Sequence, residues 1–250
     1  MCMIRFFDYS PRSHRLEHQD SFPAPFINKK THFYWVDIEA PSNFEAHLLS
    51  TEFNFDPLSI EDALDQHHHP KIEEFEDYLL LILRTYNLHQ QEKSIITPSI
   101  SFFLGKNFLV TVHHEPIPLL ERMMRRVIKL EKLPGENMLH FTHKLLSQVT
   151  DSFLPAGNHF EKKITRLENE VLEGLHKTSI NRIIEYKREI NDFMELIKDQ
   201  TEVFEEVVEE EFELIPEDEV KYFQDLYEEM DHIVSATQKN RSTVNSVLDL

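Results

Sequence analysis

Carboxylates are the side chains with the most chemistry to offer in this sequence of 250 residues. Asp and Glu number 45 against 26 Lys and Arg, a formal charge of −19. A surface this acidic attracts cations, and hard divalent cations take oxygen ligands such as carboxylates. Two stretches concentrate acids. In residues 56–65, DPLSIEDALD, the side chains of Glu61, Asp62 and Asp65 point outward from a short helix whose Ile60 and Leu64 share the inward face. Between Thr201 and Asp231 stand 14 acids and one base, Lys221. Like charges four apart there, such as Glu205 with Glu209, cost ~0.2–0.5 kcal/mol each. A solvated acidic face accounts for any single glutamate of that run, so no site is assigned in it.

Histidines could suggest a transition metal. His67, His68 and His69 are adjacent, and His113-His114-Glu115 follows a strand-like run. Consecutive residues rarely all reach one metal, and neither a His-Glu-x-x-His nor a Cys-x-x-Cys spacing occurs. Enzyme chemistry is poorly served. Only four glycines are present, with no phosphate-cradling loop and no Gly-x-Ser-x-Gly elbow. The carboxylates could hold a two-metal hydrolase site, yet none has a recognisable spacing. The acidic balance repels nucleic acid and anionic lipid headgroups, so no nucleic-acid partner is expected. A single cysteine, Cys2, excludes an internal disulfide framework and fits a reducing compartment.

The elements that must position these groups follow from local signals. Asp56 caps the short helix, and Pro57 takes its first position, where a missing N–H costs nothing. Residues 67–70 end it, because the residue before a proline resists the α region. The apolar run from Tyr78 reads as a strand covered on both faces, continuing to about Leu88. Upstream, residues 4–8 form a strand, residues 11–28 a loop or hairpin connection, and residues 32–38 a strand holding the only tryptophan, Trp35. Ser42 caps a helix to about Phe53 with Phe44, Leu48 and Leu49 as its apolar face. Residues 95–104 and 108–112 are strands joined through Gly105-Lys106-Asn107, where Gly and Asn tolerate the positive φ of a tight hairpin. Pro116 and Pro118 open a helix, residues 119–133, basic at Arg122, Arg125, Arg126, Lys129 and Lys132, and Pro134-Gly135 closes it. That basic side is expected to pair with acidic helices or stay solvated.

After Gly135 every strong signal is helical. Phe160, Ile164, Leu167 and Val171 mark one helix running from Asn137 to about Gly174. Ile183, Tyr186, Ile190, Phe193, Ile197 and Phe204 mark a second, starting at Thr178 or Ser179. Pro216 breaks it. A last helix from Glu217 carries a four-three seam of Phe223, Tyr227, Met230, Val234, Thr237, Arg241, Val244 and Leu248, such as faces another helix, of this chain or another subunit. The expected fold is α+β: a mixed α/β sheet domain in residues 1–135, then in residues 136–250 a long antiparallel helical hairpin and a C-terminal stalk helix.

Residues 57–84, PLSIEDALDQHHHPKIEEFEDYLLLILR, resemble the signature of the CorA family of divalent-cation channels: a Pro-Leu-x-x-Glu-Asp helix, a Pro-Lys-x-Glu turn and a Tyr-led hydrophobic strand. Residues 222–227, Tyr-Phe-Gln-Asp-Leu-Tyr, resemble the Tyr-Phe-x-Asp-x-Tyr segment that starts the family's stalk helix. The resemblance covers most of the chain from about Phe53 onward. It implies a homopentameric magnesium channel of the cell membrane whose large domain, on the cytoplasmic side, senses the ion. It further implies a metal site in which Asp225 pairs across a subunit interface with Asp62, with Glu61 as a nearby helper. The ion implied is Mg²⁺, with Co²⁺, Ni²⁺ or Zn²⁺ as alternatives. A second family site needs an acid on the first long helix, and residues 143–153 give no clear match. ZntB-type zinc transporters share this architecture and are not separated from it by these motifs.

No stretch approaches the roughly 18–20 apolar residues that span a bilayer. The channel reading therefore requires a membrane segment outside this chain. The stalk helix reaches Leu248 with no stop signal, so it is expected to run on past Leu250 in the full-length gene. The competing expectation is a soluble metal-dependent enzyme or acidic scaffold with no membrane portion.

Overall fold

The computed structural model describes residues 2–23, 26, 28–89, 94–172 and 176–248. Seven strands build one sheet: β1 (Met3–Ser10), β2 (Arg15–Gln19), β3 (Phe33–Glu39), β4 (Lys71–Glu74), β5 (Tyr78–Arg84), β8 (Ser99–Gly105) and β9 (Phe108–His113). Their order is β2-β1-β3-β9-β8-β5-β4. Only β3 and β9 run parallel; every other neighbouring pair is antiparallel. Two short strands, β6 (Asn87–His89) and β7 (Ser94–Ile96), pair separately. The connection expected across residues 11–28 is a hairpin, since β2 folds back on β1.

Alternation along the strands splits the core between the two faces. On one face, Val36, Ile38, Leu80, Ile82, Phe103 and Val110 pack under α1 (Asn43–Glu52) and α2 (Pro57–Leu64). On the other, Trp35, Leu79, Leu81, Phe102 and Leu109 meet α3 (Pro118–Leu130) and α4 (Met138–Asp151). Trp35 stacks on Phe7 at 5.0 Å between centroids and meets the Phe141 ring edge-on at 5.1 Å. All of Tyr78 to Leu83 is buried, as a strand covered on both sides requires. Each such leucine contributes ~1.5–3 kcal/mol relative to an exposed one.

Several local expectations are corrected. In α1 only Leu49 of the expected apolar face is fully buried, while Phe44 is 69% exposed. The capping box is the reason. Ser42 N–H and Oγ both donate to Glu45 Oε2, at 2.9 and 2.6 Å, which turns Glu45 and, one turn on, Leu49 toward the sheet. Phe44 is thereby rotated outward. β5 stops at Arg84 rather than near Leu88, and the strand expected over residues 95–104 is split by Pro98, whose carbonyl instead accepts the Thr85 N–H at 3.0 Å. β4 is unforeseen, because four residues with Ile72 alone buried carry too little alternation. Gly105 is not in the positive-φ region. Its role is close approach, since a Cβ there would lie 2.3 Å from Phe108 Cε1.

The long helix expected from Asn137 breaks into α4 and α5 (Leu154–Leu172). Ser152 Oγ donates to Val149 O at 2.6 Å and accepts the Tyr86 N–H at 2.9 Å, and Pro155 then suits the start of a new helix. α6 (His176–Glu209) returns antiparallel to α5: Phe153 meets Phe193, and Phe160 meets Tyr186. A single 3-10 turn, Glu217–Glu219, leads into α7 (Val220–Leu248). The seam of α7 is buried at Phe223, Met230, Thr237 and Val244, and packs on the chain's own helices α4, α5 and α6. Gly174 and the side chains of Val171 and Leu248 lie outside the described residues.

Candidate metal-binding surface

α2 is held firmly at both ends. Asp56 Oδ1 accepts the Leu58 N–H at 2.8 Å, and the Asp56 N–H donates to Tyr78 Oη at 3.0 Å. At the other end Ser101 Oγ donates to Ala63 O at 3.4 Å and His114 Nε2 donates to Leu64 O at 2.9 Å. Ile60 and Ala63 face the sheet, so Glu61 is exposed and Asp62 half-buried on the outer side.

Asp62 is already engaged within the chain. Its Oδ2 accepts from Lys71 Nζ at 2.6 Å, and its Oδ1 lies 3.6 Å from His68 Nε2. The same Lys71 ammonium donates to Glu73 Oε2 at 2.6 Å. Burial disfavours that charge, but the hydrogen bonds to Asp62 and Glu73 outweigh it and hold the Lys71 pKa above its ordinary value. Neither Lys71 nor His68 was singled out from sequence as a partner of Asp62. The Pro-Lys-x-Glu string carried the signal for Lys71, but its register against α2 is a tertiary matter.

Asp225 is exposed on α7, between the buried Phe223 and Leu226. Its surroundings are acidic. Burial, then the charges of Asp225 and Asp151, hold the Glu229 carboxyl above the usual carboxylate range. His143 on α4 is pushed down by burial, offset in part by a hydrogen bond to the Tyr222 backbone and by Asp225. His140 Nε2 lies 2.7 Å from Glu219 Oε2 and fastens the entry of α7 to α4. Asp151 and Glu229 join this surface only because α4 and α7 pack together.

The sequence candidates thus sit on separate elements, Glu61 and Asp62 on α2 and Asp225 on α7, each directed away from the core. Among the described residues, no three His, Cys, Asp or Glu side chains converge as a metal cluster within one chain. The consecutive histidines diverge: His67 is exposed, His68 turns to Asp62, and His69 Nδ1 lies 3.2 Å from Asp199 Oδ2 on α6. His113 faces the buried Asp37, while its neighbour His114 holds α2. The basic side of α3 is solvent-exposed at Arg125, Arg126 and Lys129, and Arg125 reaches Glu121 of its own helix. No helix among the described residues is long and apolar enough to cross a membrane.

A family model described as a CorA-like Mg²⁺ transporter protein matches residues 30–250. The cobalt/magnesium transport protein CorA of Thermotoga maritima is 27% identical over 203 residues, covering 79% of this chain and 57% of that protein. The chain therefore spans little more than half the length of that relative. The soluble domain of CorA from Methanocaldococcus jannaschii superposes with a TM-score of 0.79 at 19% identity, covering 99% of this chain and 95% of that one. The ZntB cytoplasmic domain from Vibrio parahaemolyticus superposes with a TM-score of 0.78 at 13% identity, covering 99% and 95%. With the family model spanning residues 30–250, the chain belongs to the CorA-like Mg²⁺ transporters, a family of ion transporters and not of enzymes.

Proposed function

We propose that this chain is the cytoplasmic ion-sensing domain of a homopentameric CorA-like magnesium channel, and that Asp62 of one subunit and Asp225 of the next form its regulatory site. The observation that carries the proposal is geometric. Both aspartates lie on outer surfaces, on α2 and on the first turns of α7, where a neighbouring subunit could meet them. Two carboxylates fit Mg²⁺, which takes few protein oxygens and keeps its waters. When bound, the ion supplies the positive charge that lets the two carboxylates face each other.

At low ion concentration no bridge joins Asp62 to the unneutralised Asp225 carboxylate of the next subunit, and the subunits loosen. α7, which leaves the site packed against α4, α5 and α6, carries that change toward the membrane portion. The switch has the required differential contact, because the bridge exists in one state only. Glu61, exposed beside Asp62, adds negative field to the site. Asp225→Ala in the full-length protein is expected to weaken Mg²⁺-dependent protection from proteolysis. Unchanged protection would remove Asp225 from the site.

A second reading has its own support. The ZntB cytoplasmic domain shares the fold over nearly the whole chain, and His68, an imidazole suited to Zn²⁺, lies beside Asp62. Uptake of Zn²⁺ in preference to Mg²⁺ and Co²⁺ by the full-length protein would favour it.

A further inference from the structure

We infer that Lys71 is a built-in counter-cation for Asp62 and sets the concentration at which a divalent ion takes that carboxylate; this rests on the reading of Asp62 as an ion ligand. The Lys71 ammonium lies 2.6 Å from Asp62 Oδ2 and 2.6 Å from Glu73 Oε2. Its backbone is fixed by strand pairing, with Lys71 opposite Ile82 in the β4–β5 ladder. Glu73, two residues on, emerges on the same side of β4 and shares the ammonium. Asp62 is fixed in turn, because Ser101, His114 and Tyr78 anchor both ends of α2. Neither partner must be gathered from a loose loop for the pair to form.

The pair is also shielded from water. The Lys71 and Asp62 side chains retain 25% and 30% of their exposure, so their attraction exceeds that of a fully solvated pair. With no divalent ion bound, Asp62 is therefore matched by a tethered ammonium rather than bare. An incoming hard cation must displace Lys71 or share the carboxylate with it against like-charge repulsion. Either route raises the ion concentration needed for half-occupancy. A single carboxylate so matched is no cation site by itself, in keeping with the lack of any convergent ligand cluster among the described residues.

The test measures the Mg²⁺ midpoint of protease protection in the full-length protein. Lys71→Met is expected to lower the midpoint about threefold to tenfold. Glu73→Gln is expected to raise it, by strengthening the hold of Lys71 on Asp62 and removing local negative charge. Lys106→Met, at an exposed lysine near Glu213, controls for the loss of any positive charge and should leave the midpoint in place. An unchanged or raised midpoint in folded Lys71→Met overturns the inference. Should Lys71→Met fail to fold, the half-exposed Glu73 decides, and an unchanged or lowered midpoint in Glu73→Gln overturns it. Asp62→Asn separates the two levels of the argument. If that variant keeps wild-type protection, the ligand role of Asp62 falls and the inference falls with it. If it abolishes protection while Lys71→Met leaves the midpoint unmoved, only the counter-cation role falls.

Discussion

Gln200, fully buried on α6, accepts the backbone N–H of Arg84 through its Oε1 at 2.7 Å. β4 pairs with β5 only as far as Ile82, so this N–H has run out of ladder on that side. One side chain of the longest helix therefore completes the hydrogen bonding of the sheet where the strand ends. Gln200→Leu would leave a buried donor without a partner, which costs ~1–3 kcal/mol. The expected result is a lower urea midpoint with an unchanged m-value. A midpoint equal to wild type would mean that another acceptor or water takes over.

The pair His113–Asp37 makes stability depend on pH. His113 Nδ1 donates to Glu115 O at 2.6 Å, and its Nε2 lies 3.3 Å from Asp37 Oδ1, so both ring nitrogens face acceptors. Burial opposes the imidazolium, but the hydrogen bond and charge of Asp37 outweigh it and raise the pKa above 6.5. A folded-state pKa raised in this way gives stability that is complete below the unfolded value and is lost as pH climbs through the folded one. The advantage of wild type over His113→Gln in urea denaturation should therefore be largest at acidic pH and shrink as pH rises. A difference that stays constant with pH would show that the imidazolium is not the form that stabilises the fold.

Gly105→Ala tests the close approach in the β8–β9 hairpin. The added Cβ would meet Phe108 Cε1 at 2.3 Å, and that ring is confined by Phe53 and Phe55, with centroids 5.4 and 5.9 Å away. Overpacking of this kind costs ~1–3 kcal/mol. Thermal melts should show the loss, and Phe108→Leu in the same chain should recover part of it. Equal melting temperatures for wild type and Gly105→Ala would mean that the ring moves aside freely.

If Asp62 and Asp225 hold one ion between subunits, their losses cannot add. Asp62→Asn, Asp225→Asn and the double variant should all show about the same weakened Mg²⁺-dependent protection, because removing either ligand empties the site. Additive losses would indicate two independent sites.

Much of the scaffold is legible along the chain, because its signals are local. Asp56 and Pro57 start α2, the run from Tyr78 makes β5, and the spacing of Ile183, Tyr186, Ile190, Phe193 and Ile197 fixes the buried face of α6. Neighbours a few residues apart suffice for caps and periodicity. The sequence also places the carboxylates Glu61 and Asp62 on the outer side of their helix. Tertiary structure decides what surrounds them. The parallel pairing of β3 with β9 joins segments about seventy residues apart in sequence, and no local pattern specifies it. The break at Ser152 depends on the backbone of Tyr86, which no local pattern brings near it. The same holds for the contact with most bearing on function. Lys71 and Asp62 are nine residues apart, and only the docking of β4 on β5 beneath the end of α2 sets the ammonium on the carboxylate.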